Sequence, residues 1–154
     1  MADVFDVLAR DHAEVKRMLA ELERGPASAG GDQLLLRKKM AGQLVIEESR
    51  HEALEEMFFW PAVREHVTGG DVFADKATGQ EQEGKELLDE LEMADASDPR
   101  FEQLLATFIR AAREHIKFEE DTVWPRAWVA FPADVADTLG EQVAEGKKAR
   151  PATR

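Results

Sequence analysis

Two stretches of this 154-residue chain carry the same chemistry at the same spacing. Residues 51–61 read His-Glu-Ala-Leu-Glu-Glu-Met-Phe-Phe-Trp-Pro, and residues 115–125 read His-Ile-Lys-Phe-Glu-Glu-Asp-Thr-Val-Trp-Pro. Both spell His-x-x-x-Glu-Glu-x-x-x-Trp-Pro. Side chains four apart on an α-helix share a face, one turn from each other. His51 with Glu55, and His115 with Glu119, therefore each aim an imidazole and a carboxylate at one point. A single such pair is common on a solvated helix. Two copies, both on apolar stripes, place four ionisable groups toward the interior, which is costly unless they are paired or coordinated. A metal ion turns that cost into binding energy. The chain has no cysteine, which excludes disulfides, thiolate zinc sites, iron–sulfur clusters and cysteine nucleophiles. Nitrogen and oxygen donors suit iron, manganese or zinc better than soft metals. There is no tyrosine either, so a phenolate ligand is excluded.

The elements that must position these groups read as helices throughout. Alternating β-branched runs are absent and helix formers dominate. A first segment, about 3–24, places Phe5, Leu8, His12, Val15, Leu19 and Leu22 at 3/4 spacing, with His12 inside the apolar stripe. Gly25-Pro26 ends it, and a Gly/Ser/Ala loop follows over 25–32. A second, about 32–66, aligns Leu36, Met40, Leu44, His51, Glu55 and Phe58, until Gly69-Gly70 breaks it. A third, about 73–94, carries Gly79 and Gly84 in its interior, which weakens it. Asp98-Pro99 is an N-cap followed by proline at the first turn. It opens a fourth segment, to about 128, with Phe101, Leu104, Phe108, Ala112, His115 and Glu119 in line. The expectation is an all-α, up-down-up-down four-helix bundle over 1–130. Residues 131–154 would add a short helix opened by Pro132 and a frayed basic tail from Lys147.

The chain repeats itself. Positions 44–61 align without gaps to 108–125, and 12–23 align to 81–92 through Lys16/Lys85, Leu19/Leu88, Glu21/Glu90, Leu22/Leu91 and Glu23/Glu92. Helices one and two thus resemble helices three and four, and a pseudo-twofold bundle brings equivalent positions to one centre.

On these residues the chain resembles the hemerythrin family in its bacterial HHE cation-binding form, over about 3–128. Asp11-His12-Ala13-Glu14-Val15-Lys16 looks like the first family element, His51 with Glu55 like the second, and His115 with Glu119 like the fourth. The resemblance implies a bundle holding two non-heme irons, a di-iron centre with an oxo or hydroxo bridge. Glu55 and Glu119 would bridge the irons and the histidines would cap them. The third element departs from the pattern, because the partner of His12 in the repeat is Glu81. A carboxylate is still a viable iron ligand and favours the harder ferric state. The other reading makes Glu81 a solvated residue, with Glu83 as a fallback on another face of the helix.

Glu48, three residues before His51, is an extra metal ligand, a partner of a ligand, or a boundary carboxylate paired to an arginine. The Glu-x-x-His it forms occurs once, whereas a ferritin-like scheme needs it on two helices. Glu56 and Glu120 read as outer charges or partners of ligands, and His66 as a surface histidine. Trp60 and Trp124 read as packing at the bundle end, with an apolar plug over the metals as the alternative.

The net charge of −12 argues against nucleic acid and anionic membranes as partners. Without a membrane-span-length apolar run or an N-terminal signal pattern, a cytoplasmic location is expected; the oligomeric state stays open, with a monomer slightly favoured. The leading function is a di-iron protein handling O2, peroxide or NO. The alternatives are an iron-buffering or metal-binding module, or a helical interaction domain whose site has decayed. Whether the chain is an enzyme stays open. Only three histidines fit the site, which makes it carboxylate-rich and tilts the reading toward redox chemistry or iron sensing over oxygen carriage.

Overall fold

The computed structural model describes residues 2–24 and 31–149. Among these, every regular element is helical. Helix α1 runs Val4–Arg24 and α2 Gly31–Leu54; α3 is Trp60–His66 and α4 Gly70–Met93. Helix α5 is Pro99–Phe118, α6 Trp124–Ala130 and α7 Ala133–Ala149. One turn of π-helix, Glu55–Phe59, joins α2 to α3, and another, Glu119–Val123, joins α5 to α6. Of the loop expected over 25–32, residues 25–30 lie outside the described residues and 31–32 already belong to α2; the end of the basic tail lies outside them too.

Local chemistry sets the starts. Asp3 and Asp6 cap α1 reciprocally, each accepting the other's backbone N–H at 2.9 and 3.1 Å. Asp98 accepts from Arg100 N–H at 2.9 Å, with Pro99 inside the first turn of α5. Gly69, at φ 75°, makes the left-handed step into α4 that a side chain resists. Helix α4 then continues through Gly79 and Gly84, held by leucines and alanines on its inner face.

Neighbouring packing runs α1–α2, α2–α4, α4–α5 and α5–α1, which closes a four-helix bundle. Helix α7 lies outside it, against α1 and α2. A Cβ at Gly140 would strike the backbone of Ala2 and Asp3, so the glycine permits that close approach. Lys147 and Lys148, expected in the tail, belong to the last turn of α7.

The apolar core comes in two bodies. One holds Val4, Leu8, Leu54, Phe59, Trp60, Val63, Val123 and Ala127, with Leu139 and Val143 of α7. The other holds Val15, Leu19, Leu44, Leu88, Leu91, Phe101, Leu105 and Phe108. Between them in every bundle helix sits a buried polar group: His12, then His51 and Glu55, then Glu81, then His115 and Glu119. Several expected core positions differ, Met40 and Leu104 being only partly buried. Leu36 is 55% exposed, and Arg37 is buried instead, bonded to the Leu22 carbonyl and bidentate to Glu102. Phe58 is only partly buried while Phe59 is fully buried, because the π turn adds a residue after Glu55 and rotates the chain beyond it.

Candidate metal centre

Four helices bring six side chains together. Glu55 and Glu119 are fully buried, and His12, His51, Glu81 and His115 are nearly so. His51 Nε2 lies 2.9 Å from Glu55 Oε1, and His115 Nε2 lies 2.7 Å from Glu119 Oε1. These are the two i,i+4 pairs of the repeated motif. His12 Nε2 stands 3.4 Å from Glu119 Oε2, and His115 Nε2 stands 3.6 Å from Glu81 Oε1. Glu119 thus turns one oxygen toward His12 and the other toward His115.

The ligand-type atoms fall into two groups, each within 4.8 Å: His12, His51 and Glu119, and Glu55, Glu81, His115 and Glu119. Glu119 belongs to both. Eight of their atoms are buried without a hydrogen-bond partner: Nε2 of all three histidines, both oxygens of Glu55 and of Glu119, and Oε2 of Glu81. Buried polar atoms are almost always satisfied, so eight converging orphans fit a cation that accepts their lone pairs.

The outward sides of the histidines are all satisfied. His12 Nδ1 donates to Glu120 at 2.8 Å, and Glu120 is held by Lys16 at 2.8 Å. His51 Nδ1 donates to Asp11 at 3.1 Å, and Asp11 is paired with Lys147 of α7. His115 Nδ1 donates to Gln80 Oε1 at 2.7 Å. With Nδ1–H bonded outward, each neutral ring turns a lone pair inward at Nε2, as metal-ligating histidines do. Trp124 stacks on His12 at 4.8 Å and 17°, and Trp60 Nε1 donates to Glu81 at 3.2 Å. The tryptophans therefore hold the residues of the centre as well as packing the bundle.

The sequence motif, the two-group geometry and the family model agree. Residues 3–127 match the model of the hemerythrin HHE cation binding domain. The chain belongs to that family. Its fold is also that of a hemerythrin HHE cation binding domain-containing protein from Mycobacterium kansasii, known from a crystal structure. The TM-score is 0.81 over 97% of this chain and 87% of that one, at 19% identity. No curated protein matches the sequence. No described helix is long and apolar enough to cross a membrane.

Within this HHE domain the repeat extends beyond the histidines. Asp11 backs His51 and Gln80 backs His115, and the pair Asp11/Gln80 is related by the same step as His12/Glu81. Sequence reasoning overlooked Asp11 and Gln80 as supports, although they pair one residue before the start of the alignment that matched His12 with Glu81. Lys147 left no signal, because it arrives from a helix outside the repeat. Glu48 is buried but lies outside both groups, close enough to press electrostatically on Glu52 and His115; among the described residues it has no arginine partner. Glu120 supports His12, Glu56 and Glu83 are exposed, and His66 ends α3 against Phe131.

Burial dominates the protonation of the metal-free centre. It pushes Glu55 well above the ordinary carboxylate range, and the charge of Glu119 adds to the push, opposed by His51. Burial would raise Glu119 too, but the imidazoles of His115 and His12 beside it outweigh this and hold Glu119 well below. The two central carboxylates are thus pushed in opposite directions, Glu119 toward its anion and Glu55 toward its protonated form. Burial also raises Glu81 to about 7. Burial disfavours the charged forms of His51 and His115, yet Glu55 and Asp11 hold His51 well above its usual value, and Glu119 raises His115.

Proposed function

We propose that this HHE domain holds two iron ions and handles O2 or a related small molecule such as peroxide or NO. His12, His51 and Glu119 would bind one iron; Glu55, Glu81, His115 and Glu119 would bind the other. The observation that carries this reading is the pair of buried groups sharing Glu119, with eight unpartnered atoms between four helices.

Iron bound there would supply redox chemistry and a coordination position for the small molecule. The chain's own residues set the conditions. Glu120, Asp11 and Gln80 fix the three imidazoles, and Trp60 orients Glu81. Phe59, Trp60, Val123 and Leu54 close one apolar side and keep the centre dry. Three carboxylates and three imidazoles make the donor set more anionic than a histidine-dominated one, which favours oxidised iron over reversible oxygen carriage. A non-catalytic iron-buffering role is the second reading, favoured by the complete burial of Glu55 and Glu119.

Metal analysis and an absorption spectrum of protein from iron-replete medium test the proposal. About two irons per chain, with near-ultraviolet absorption from a bridged pair, are expected. Zinc alone, or no metal after iron supplementation, defeats it. Peroxide or NO consumption by the iron-loaded protein separates reaction from buffering. Exchanging both Glu55 and Glu119 for Gln should abolish iron binding while circular dichroism stays helical.

A further inference from the structure

The two halves of the centre are built from different donors, and we propose that they select different metals when more than one kind of ion is offered. The inference rests on the two-metal reading above. One position offers two imidazoles and the shared carboxylate: His12, His51 and Glu119. The other offers one imidazole and three carboxylates: His115, Glu55, Glu81 and Glu119.

The groups behind the rings widen the difference. His12 and His51 donate from Nδ1 to the carboxylates of Glu120 and Asp11, whereas His115 donates to the neutral amide of Gln80. A carboxylate behind an imidazole makes it a stronger donor. The position richer in nitrogen therefore also has the more basic nitrogens.

The origin of the asymmetry lies in one dipeptide of each half. Helix α1 carries Asp11-His12 where α4 carries Gln80-Glu81. Each dipeptide holds one acid. In α1 the acid supports the neighbouring helix's histidine from behind and the imidazole faces the centre. In α4 the amide does the supporting and the acid faces the centre. The same negative charge has moved from the support of one position to the donor set of the other.

Imidazole suits zinc and ferrous iron, while carboxylate suits manganese and hard trivalent iron. Zinc also outranks manganese in general affinity, and the margin is widest where nitrogen dominates. The His12/His51 position therefore fills first with a borderline divalent ion. The Glu81/His115 position is left for a harder one, so a single chain can hold a mixed pair.

The test uses the full chain, stripped of metal and given one equivalent of Zn²⁺ with excess Mn²⁺. Anomalous diffraction at the zinc and manganese edges reads the two positions, and electron paramagnetic resonance reads manganese in solution. The expected result is one zinc beside His12 and His51 and one magnetically isolated manganese beside Glu81 and His115. Zinc occupancy should differ between the positions by roughly tenfold or more. Manganese alone should give two ions per chain with a coupled spectrum. Glu81→His should spread the single zinc over both positions. If that variant loses its helical circular dichroism, His12→Glu, the reciprocal exchange, should level the positions instead. Zinc shared evenly in the parent overturns the selectivity and leaves the two-metal reading standing. Uptake of fewer than two ions under every condition overturns the two-metal reading itself.

Discussion

At the scale of single residues, the outward bonds of the histidines decide how well the inward ones work. Asp11 is a carboxylate between the His51 imidazole and the Lys147 ammonium. Burial raises its pKa, but His51 and Lys147 outweigh this and hold it below the usual range. Asp11→Ala should leave the fold intact and weaken metal binding about 10- to 100-fold, measured by calorimetric titration of the metal-free protein. Unchanged affinity would leave Asp11 a purely structural link between α1 and α7. Loading must also displace protons, because burial pushes Glu55 toward its protonated form and Glu81 up to about 7. Metal affinity should therefore climb as pH rises through about 7, and uptake in weak buffer at about pH 6.5 should acidify the solution. Affinity independent of pH over that range would contradict this protonation pattern. His51, Glu55, His115 and Glu119 were legible in the sequence because the motif occurs twice. Glu81 was legible only as a position in the repeat, since its residue type departs from the pattern. Asp11 and Gln80 were overlooked because a support is recognised by what it touches, and Lys147 lies beyond any periodicity.

At the scale of elements, the two π turns are the part of the fold that helical spacing does not announce. Trp60 N–H donates to the Glu55 carbonyl and Trp124 N–H to that of Glu119, five residues back in each case. The next residues, Pro61 and Pro125, explain this. In a continuous α-helix each ring would clash with the carbonyl four residues before it, and the wide turn relieves the clash. The widening begins at the glutamate and ends at the tryptophan, so Trp-Pro sets how the centre meets its cover. Pro61→Ala with Pro125→Ala should restore ordinary α-helix and turn α3 and α6 by about 100°. The variant should stay helical by circular dichroism while losing most of its second metal by metal analysis; full retention of both would show the turns to be incidental. The same insertion explains why Phe59 displaced Phe58 from the expected core stripe. Helix α4 formed despite Gly79 and Gly84 in its interior because a buried face outweighs roughly 1 kcal/mol lost at each.

At the scale of the whole molecule, the bundle was legible from periodicity and the break signals between segments. The place of α7 was not, because docking depends on Gly140 meeting the start of α1 and on Lys147 reaching Asp11. The buried acids also tie stability to pH. In the metal-free protein, burial raises Glu81 to about 7 and, helped by the charge of Glu48, Glu52 to about 9. His51 and His115 are raised as well. A group whose pKa is higher folded than unfolded favours the fold below the unfolded value and loses that contribution as pH rises through the folded one. The metal-free melting temperature should thus fall between about pH 5 and pH 9, by a stability loss on the order of a few kcal/mol. The metal-loaded protein should resist this fall, because the cation takes the place of the protons. Thermal melts of both forms across that range check the pattern, and a metal-free melting temperature that rises with pH would refute it.

The polar layer between the two apolar bodies also fixes where this bundle opens. Helical bundles ordinarily fray from their ends, where backbone bonds are fewest. Here the ends are the dry, well-packed parts, and the waist carries eight unsatisfied atoms across all four bundle helices. Without metal the waist should be the plane of weakness, and backbone amides around His12, His51, Glu81 and His115 should exchange with deuterium ahead of those flanking Leu8 or Leu105. A cation at the waist reverses that order and makes the middle of the chain's helices the last part to exchange.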